Sequence, residues 1–457
     1  MDVLHLRRDQ EDWRAQTRVI ALKNRLNSGE RRLPACRSRQ LAETGNWRRL
    51  ELRAQKCCRQ GCRQLQAGSL CSPDHDALRG VLSSPCRPCF AQRGPKVTID
   101  MLMGNYHIAV VGATGAAGTE LLRVLERRNF PVASLRAIGS ARSAGKSVPF
   151  RGESVPVEKL DDRCFDKTDI AFFSAGGDVS RNYVPIACQS DAIAIDKSSA
   201  FRMEPHVPLV IPEINADDVR RHRGIIANPN CTTTVMLMAL YPLHRIFHVR
   251  RVFAASYQAV SGSGTRGVEE LTRQTRDAVR GPKSRAKPGS STSPEATADK
   301  TIPASVPPKA RVYPHPIAFN VLPHIDSFLD SGYTKEEVKM QDEARKIMHS
   351  PALRVSATCV RVPIYRAHSV AVSAEFQRPL SVEQAREILS KAPGLELIDE
   401  PHSNRYPMPL TVAGKDNCQV GRVRLDCAFE NGLSFWVSGD QLLKGAALNA
   451  VQIAELL

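Results

Sequence analysis

The chain has 457 residues and a formal charge of +17, enough length for two or three ordinary domains and a sizeable buried core. The charge is local: residues 1–100 carry 20 Lys and Arg against 10 Asp and Glu, residues 280–312 carry 7 against 2, and the remainder is close to neutral. That distribution argues against a nucleic-acid-binding fold, and without an apolar signal region or a run of about 18 apolar residues the expectation is a soluble, cytoplasmic protein.

Residues 1–103 are rich in Arg, Gln, Cys and Ser with weak periodicity, and are expected to be a basic extension, disordered or not native. Met101 and Met103 stand just before the patterning becomes regular, so one of them is a candidate natural start. Seven of the thirteen cysteines, Cys36, Cys57, Cys58, Cys62, Cys71, Cys86 and Cys89, lie in this extension. The C-x-x-C pair at 86–89 fits half of a zinc knuckle, but "CCRQGC" is irregularly spaced and no histidine completes a site, so no metal is expected. The other six cysteines are scattered singly, as reduced intracellular thiols are.

Ordered patterning begins with "HIAVVGATGAAGTELLRVL". Gly112, Gly115 and Gly118 follow a strand and open a helix, the context in which backbone N–H groups and a helix N-terminus receive a phosphate. The next strand, "ASLRAIG", runs into "SARSAGK", with no acidic residue to hold the ribose hydroxyls of NAD. Arg142 and Ser143, with Ser140 and Lys146 nearby, offer cation and hydroxyl donors for a 2′-phosphate instead, so NADP is the expected cofactor. A solvated basic loop is the alternative. The apolar strands "DIAFFSAG", "AIAIDKSS", "LVIPEIN" and "GIIANP" then alternate with helical patterns, predicting a parallel sheet covered on both faces.

Cys231, in "NPNCTTTVMLMAL", ends this run at the start of a helical pattern, where the dipole favours thiolate. By position alone an inert core cysteine is equally compatible. Beyond it the strands lengthen ("RRVFAASYQAVSGSG", "SATCVRVPIY", "HSVAVSAEFQ", "GLSFWVSGD"), predicting a second domain on a mixed or antiparallel sheet. Residues 281–310, rich in Pro, Ser, Ala and Lys, are expected to be a disordered insertion. The last stretch, "DQLLKGAALNAVQIAELL", has helical apolar spacing and should pack on a core face.

A thiolate beside a nicotinamide can carry an acyl group as a thioester, and "CVRVPIYRAHS" offers a base and an anion clamp. With "VVGATGAAG", "SSAFRMEPHVPLVIPEIN", "NPNCTT", "SYQAVSGSGTRGVEEL", "KEEVKMQDEARKI" and "KGAALNAVQIAE", in this order over residues 105–457, the chain resembles the aspartate-semialdehyde dehydrogenases. The resemblance implies NADP-dependent, phosphate-linked interconversion of 4-aspartyl phosphate and L-aspartate 4-semialdehyde, in the pathway to lysine through diaminopimelate and to threonine, methionine and isoleucine. It implies Cys231 as nucleophile and His368 as general acid/base, an imidazole of ordinary pKa near ~6.5 able to pass protons at cellular pH. Arg361 would clamp the substrate's α-carboxylate and Gln258 would bind substrate near the thioester. Arg202 and Lys339 would hold phosphate, and Thr114, Gly115, Ala116, Ala117, Arg142, Ser143, Ser261, Gly262 and Gln441 would contact NADP.

The implied architecture is a Rossmann-like NADP-binding domain over 104–230, an α+β catalytic and dimerisation domain over 231–438, and a C-terminal helix over 439–457 returning to the first domain, in a homodimer. Where the family usually carries Asn before "KGAAL" this chain has Gln441. Arg361 and His368 are seven residues apart, so an uninterrupted strand would turn them to opposite faces; a break at Pro363 or in "YRAHS" is required. N-acetyl-γ-glutamyl-phosphate reductase, with the same cysteine logic, is the nearest alternative, and a basic nucleic-acid-binding or scaffold protein the alternative of another class.

Overall fold

The computed structural model describes residues 105–280 and 309–457. The expectations for residues 1–103, the C-x-x-C pair among them, and for 281–308 of the insertion lie outside the described residues.

The first sheet is built from β1 (Tyr106–Val111), β2 (Val132–Gly139), β3 (Ser147–Phe150), β4 (Glu153–Lys159), β5 (Ile170–Phe173), β6 (Ile193–Asp196) and β7 (Ile225–Ala227), in the order β3-β4-β2-β1-β5-β6-β7. Every neighbouring pair is parallel except β3 and β4. β5 is buried at all four positions, as expected of a strand covered on both faces. Helices α1 (Ala116–Arg127) and α2 (Gly177–Gln189) follow β1 and β5. Strand order reverses between β1 and β5, so their carboxyl ends border the crevice where open α/β sheets take ligands. The stretch "LVIPEIN" differs from its expectation as a strand. Leu209 makes only an isolated bridge to Ala227 before a helical turn at Pro212–Asn215, because proline lacks the ladder N–H but suits a first helical turn.

The second sheet contains β8 (Val249–Gln258), β9 (Arg354–Arg361), β10 (His368–Phe376), β11 (Leu395–Leu397), β12 (Cys418–Leu425) and β13 (Gly432–Gly439), ordered β11-β12-β13-β10-β8-β9. It is mixed, with β8/β9 and β11/β12 parallel and the other pairs antiparallel. The helices of this half are α3 (Cys231–Phe247), α4 (Thr265–Arg280), α5 (Lys335–Ile347) and α6 (Val382–Ser390). α3, α5 and α6 cover one sheet face around a core that includes Leu237, Leu240, Met340, Val370 and Phe435. The opposite face carries Phe253, stacked on Phe429, and Tyr257 against Trp436. Phe253 is 51% exposed, a large apolar side chain uncovered within this chain.

A single π-helical turn at Leu443–Ala447 leads into α7 (Leu448–Ala454). Leu443, Leu448, Val451 and Ile453 join Ile108, Leu121 and Leu125 in the core of the first sheet.

Candidate active site

The glycine turn has the shape a dinucleotide requires. Gly112 has φ +84°, and a Cβ on it would lie 2.5 Å from the Ser174 carbonyl oxygen; a Cβ on Gly118 would lie 2.1 Å from the Gly112 oxygen. Larger residues would push the loop away from the phosphate path. Ser174, at the end of β5 beside this turn, has a buried hydroxyl without a partner among the described residues, as expected where a ligand completes the bonding. Thr114 and Gly115 form the turn, and Ala116 and Ala117 open α1 with free backbone N–H groups. The Thr114 hydroxyl donates to Ser143 Oγ at 3.1 Å, bringing the two loops together, and Arg142 is exposed next to them.

Cys231 is the first residue of α3. Asn230 caps the helix, its side-chain oxygen accepting from the Thr232 and Thr233 N–H groups at 2.9 and 3.0 Å. The cap is in turn held from α5: Asn230 N–H donates to Glu343 at 2.7 Å and its Nδ2 to Glu336 at 2.9 Å. Burial pushes the Cys231 thiol up and Glu336 adds to the shift, while Thr232, Arg202 and Arg361 oppose it. Burial thus works against the thiolate that a helix N-terminus favours.

Register brings the remaining residues together. Gln258, the last residue of β8, pairs with Arg361 of β9 on one side and with His368 of β10 on the other. Residues directly opposite in neighbouring strands share a face, so the three stand in a row. The separation of Arg361 from His368 is achieved by ending one strand at the first and starting the next at the second, with Ala367 between them at φ +73°. All three are at most 5% exposed. A Cβ on Gly262 would lie 2.8 Å from Arg361 Nη1 and 3.4 Å from His368 Nε2, so a larger residue there would displace the Arg361 guanidinium.

Ala259 N–H donates to His368 Nδ1 at 3.1 Å. Nδ1 is thus the acceptor, and the neutral ring carries its proton on Nε2, which is buried with no partner among the described residues. Burial, then the charge of Arg361, pull the His368 pKa down to about 3. This corrects the expectation of an imidazole near its ordinary value: at cellular pH the ring is neutral and presents an N–H. Arg361 donates from Nη1 to the Ala259 oxygen at 2.7 Å. Gln258 Nε2 donates to Ser256 Oγ at 3.1 Å and to Glu336 at 3.3 Å.

Arg202 and Lys339 line one cavity of about 260 Å³ with Ser199, Lys335 and Glu343. Arg202 is committed to Glu343 at 2.9 Å, to the Asn228 oxygen at 3.0 Å and to the Lys197 oxygen at 2.8 Å. Lys339 bonds Asp326 at 2.7 Å. Burial pulls its pKa down, but Glu336 and Asp326 together hold the ammonium above the usual lysine value. Gln441 does not lie idle: its Oε1 accepts from Ala367 N–H at 2.7 Å and its Nε2 donates to Ser261 Oγ at 2.5 Å. It therefore fixes the residue before His368 and joins the Ser261–Gly262 turn to the C-terminal segment.

Sequence reasoning missed Glu336 and Glu343, whose spacing of seven on α5 was the available signal. It also missed Lys444, which is 1% exposed and lies on the turn packed against Cys231. The Lys444 ammonium pairs with Glu213 and bonds Asn449 Oδ1 at 3.0 Å and Gln452 Oε1 at 2.8 Å. Lys444→Met should destabilise the protein by about 3–5 kcal/mol in urea unfolding, because Glu213 is left charged and buried. Adding Glu213→Gln should recover much of that loss; equal stability of the single variant and wild type would show the pair to be inert.

Comparison with known proteins identifies the family. Residues 107–222 match the family model for the semialdehyde dehydrogenase NAD-binding domain, and residues 240–444 match that for the semialdehyde dehydrogenase dimerisation domain. The aspartate-semialdehyde dehydrogenase of Aquifex aeolicus is 47% identical over 356 residues, covering 77% of this chain and 98% of that protein. Its Bacillus subtilis counterpart is 45% identical, with 77% and 97% covered. Among solved structures, aspartate semialdehyde dehydrogenase II of Vibrio cholerae, complexed with ASA, is 39% identical with a TM-score of 0.70, covering 78% of this chain and 98% of that one.

Proposed function

The chain belongs to the aspartate-semialdehyde dehydrogenase family, and we propose that it performs the family's reaction through a thioester on Cys231, with NADP as hydride carrier. The reaction is the reductive dephosphorylation of 4-aspartyl phosphate to L-aspartate 4-semialdehyde in the aspartate pathway. These relatives do not favour the N-acetyl-γ-glutamyl-phosphate alternative. The observation that carries the mechanism is the row Arg361–Gln258–His368 across three strands, with Glu336 linking Gln258 to the cap of the Cys231 helix.

In the reductive direction the Cys231 thiolate attacks the acyl carbon, and the bond to phosphate breaks as the thioester forms. The departing phosphate is left to Arg202 and Lys339, cations on one cavity. The nicotinamide, when bound, supplies hydride to the thioester carbon, for which the glycine turn and the Ser174 hydroxyl provide a fitting cradle. The His368 Nε2–H donates to the oxygen that becomes negative at each addition, the task of an oxyanion donor. Collapse of the tetrahedral species releases the aldehyde and restores the thiolate, so neutral His368 suffices as donor. Arg361 takes the α-carboxylate, and Glu336 is the carboxylate available to the α-ammonium.

NADP is preferred in this reading because Arg142 and Ser143 stand where an NAD site has an acidic residue. A second copy of the chain would cover Phe253, Tyr257 and Trp436, giving a cytoplasmic homodimer; among the described residues no helix is long and apolar enough to cross a membrane.

Assaying L-aspartate 4-semialdehyde and N-acetyl-glutamate 5-semialdehyde with phosphate and either NADP⁺ or NAD⁺ tests the reading. Turnover of the first with NADP⁺ is expected; turnover of the acetylated substrate alone would contradict it. Arg361→Lys should raise the KM for the aspartyl substrate roughly 10–100-fold with a smaller change in kcat, since a lysine cannot hold the Ala259 oxygen and clamp a carboxylate at once. An unchanged KM would remove Arg361 from substrate binding.

A further inference from the structure

Arg366 is a cation that the mechanism above leaves unused, two residues before His368 in the turn between β9 and β10. That turn is fixed at several points. Val260 N–H donates to the Ile364 oxygen at 2.9 Å, the Ser261 hydroxyl donates to the Tyr365 oxygen, and Ala367 N–H donates to Gln441 Oε1 at 2.7 Å. Ala367 has φ +73°, a conformation that a residue with a Cβ keeps only when its surroundings hold it. His368 follows directly, so the direction of its Nε2–H depends on Ala367 being held.

The Arg366 side chain reaches two buried carboxylates on separate parts of the fold. Its Nε donates to Asp440 Oδ2 at 2.6 Å, and its Nη2 lies 3.2 Å from Glu120 Oε1. Asp440 comes just after β13 and is itself rigidly placed. Its Oδ1 accepts from the Leu442 and Leu443 N–H groups at 2.9 and 3.2 Å, and its Oδ2 also accepts from Gly414 N–H at 2.6 Å. Its backbone oxygen accepts from Gly445 N–H at 3.1 Å, and Gly445 packs on the nucleophile so closely that a Cβ there would lie 2.8 Å from Cys231 Cβ. Glu120 lies on α1, the helix that the glycine turn opens. One guanidinium thus ties the histidine turn to the segment packed on Cys231 and to the cofactor helix.

A planar fork of donors can serve two carboxylates at once, and a point charge cannot. Arg123 also approaches Glu120, at 3.5 Å, but its side chain is 68% exposed, and such a solvated pair fixes little.

The geometry points to Arg366 as a positioning residue for the reaction: by bridging Glu120 and Asp440 it holds Ala367, and through it the His368 ring, so that Nε2 stays aimed at the developing oxyanion. The proposal rests on His368 being the oxyanion donor. Misplacing a reacting group by about 1 Å can cost about 100-fold in rate.

The test is a double-mutant cycle on the full-length protein, measuring kcat and KM with L-aspartate 4-semialdehyde, phosphate and NADP⁺ for wild type, Arg366→Met, His368→Asn and the double variant. Arg366→Met should lower kcat about 10–100-fold while the substrate KM changes by less than about twofold, because Arg361 is held by the Ala259 oxygen rather than by this turn. Added to His368→Asn, the same substitution should cost less than about twofold more, because the donor that it positions is already gone. A merely structural role would lower the melting temperature and leave the kcat of folded Arg366→Met unchanged, which would overturn the proposal. Equal fold losses with and without His368 would overturn it as well. If Arg366→Met does not fold, Arg366→Lys goes through the same cycle, and equal losses in both backgrounds, or none in either, would overturn it equally. Wild-type kcat in His368→Asn would instead sink the donor assignment, whatever the Arg366 variants show.

Discussion

Cys231→Ser should lower turnover by about four orders of magnitude or more while leaving NADP affinity within error of wild type. The substitution keeps the cap geometry, since Asn230 is bonded by Thr232, Thr233 and Thr234 in that turn and not by the Cys231 side chain. What it removes is an ionisable, polarisable nucleophile. A serine hydroxyl in the same buried position has no base able to activate it, because the nearby imidazole directs an N–H into the site and uses its lone pair on Ala259. Steady-state rates in the reductive direction and a cofactor titration of the same preparation decide the matter. Near-normal turnover would remove the thioester from the mechanism.

His368→Asn should lower kcat by about 10²–10⁴-fold, the usual range for loss of a proton donor aimed at a developing oxyanion. It should also change how stability depends on pH. The folded-state pKa of His368, about 3, lies below the unfolded value, so between those values the unfolded chain binds a proton that the folded chain excludes. Wild type therefore loses up to about 1.4 kcal/mol per pH unit from this group as pH falls below ~6.5, and its full contribution is present above that. Urea unfolding at pH 7 and pH 5 should show a steeper acid loss for wild type than for the variant. Parallel pH dependence would mean that His368 is not buried neutral.

The parts of this layout that were legible in the sequence are those that local pattern controls. The glycine turn is readable because a strand, a tight turn and a helix follow within one short stretch, and Cys231 because a strand ends and a helix begins around it. The pairing of Gln258 with both Arg361 and His368 is not readable, since it depends on the register of three strands, with a long connection between β8 and β9. Glu336 and Glu343 look like ordinary surface carboxylates in "KEEVKMQDEARKI" and become part of the site only when α5 packs against the Asn230 cap. Protonation is the furthest from sequence. The thiol of Cys231 and the imidazole of His368 take their directions from burial, which neither residue's neighbours in the chain supply.

The thioester is the central claim, and a single turnover tests it most directly. Enzyme mixed with L-aspartate 4-semialdehyde and NADP⁺ in the absence of phosphate, then quenched in acid, should yield one equivalent of reduced cofactor per active site and one aspartyl group on the Cys231 peptide, released by hydroxylamine. Reduced cofactor formed without an adduct at Cys231, or an adduct on another residue, would contradict it.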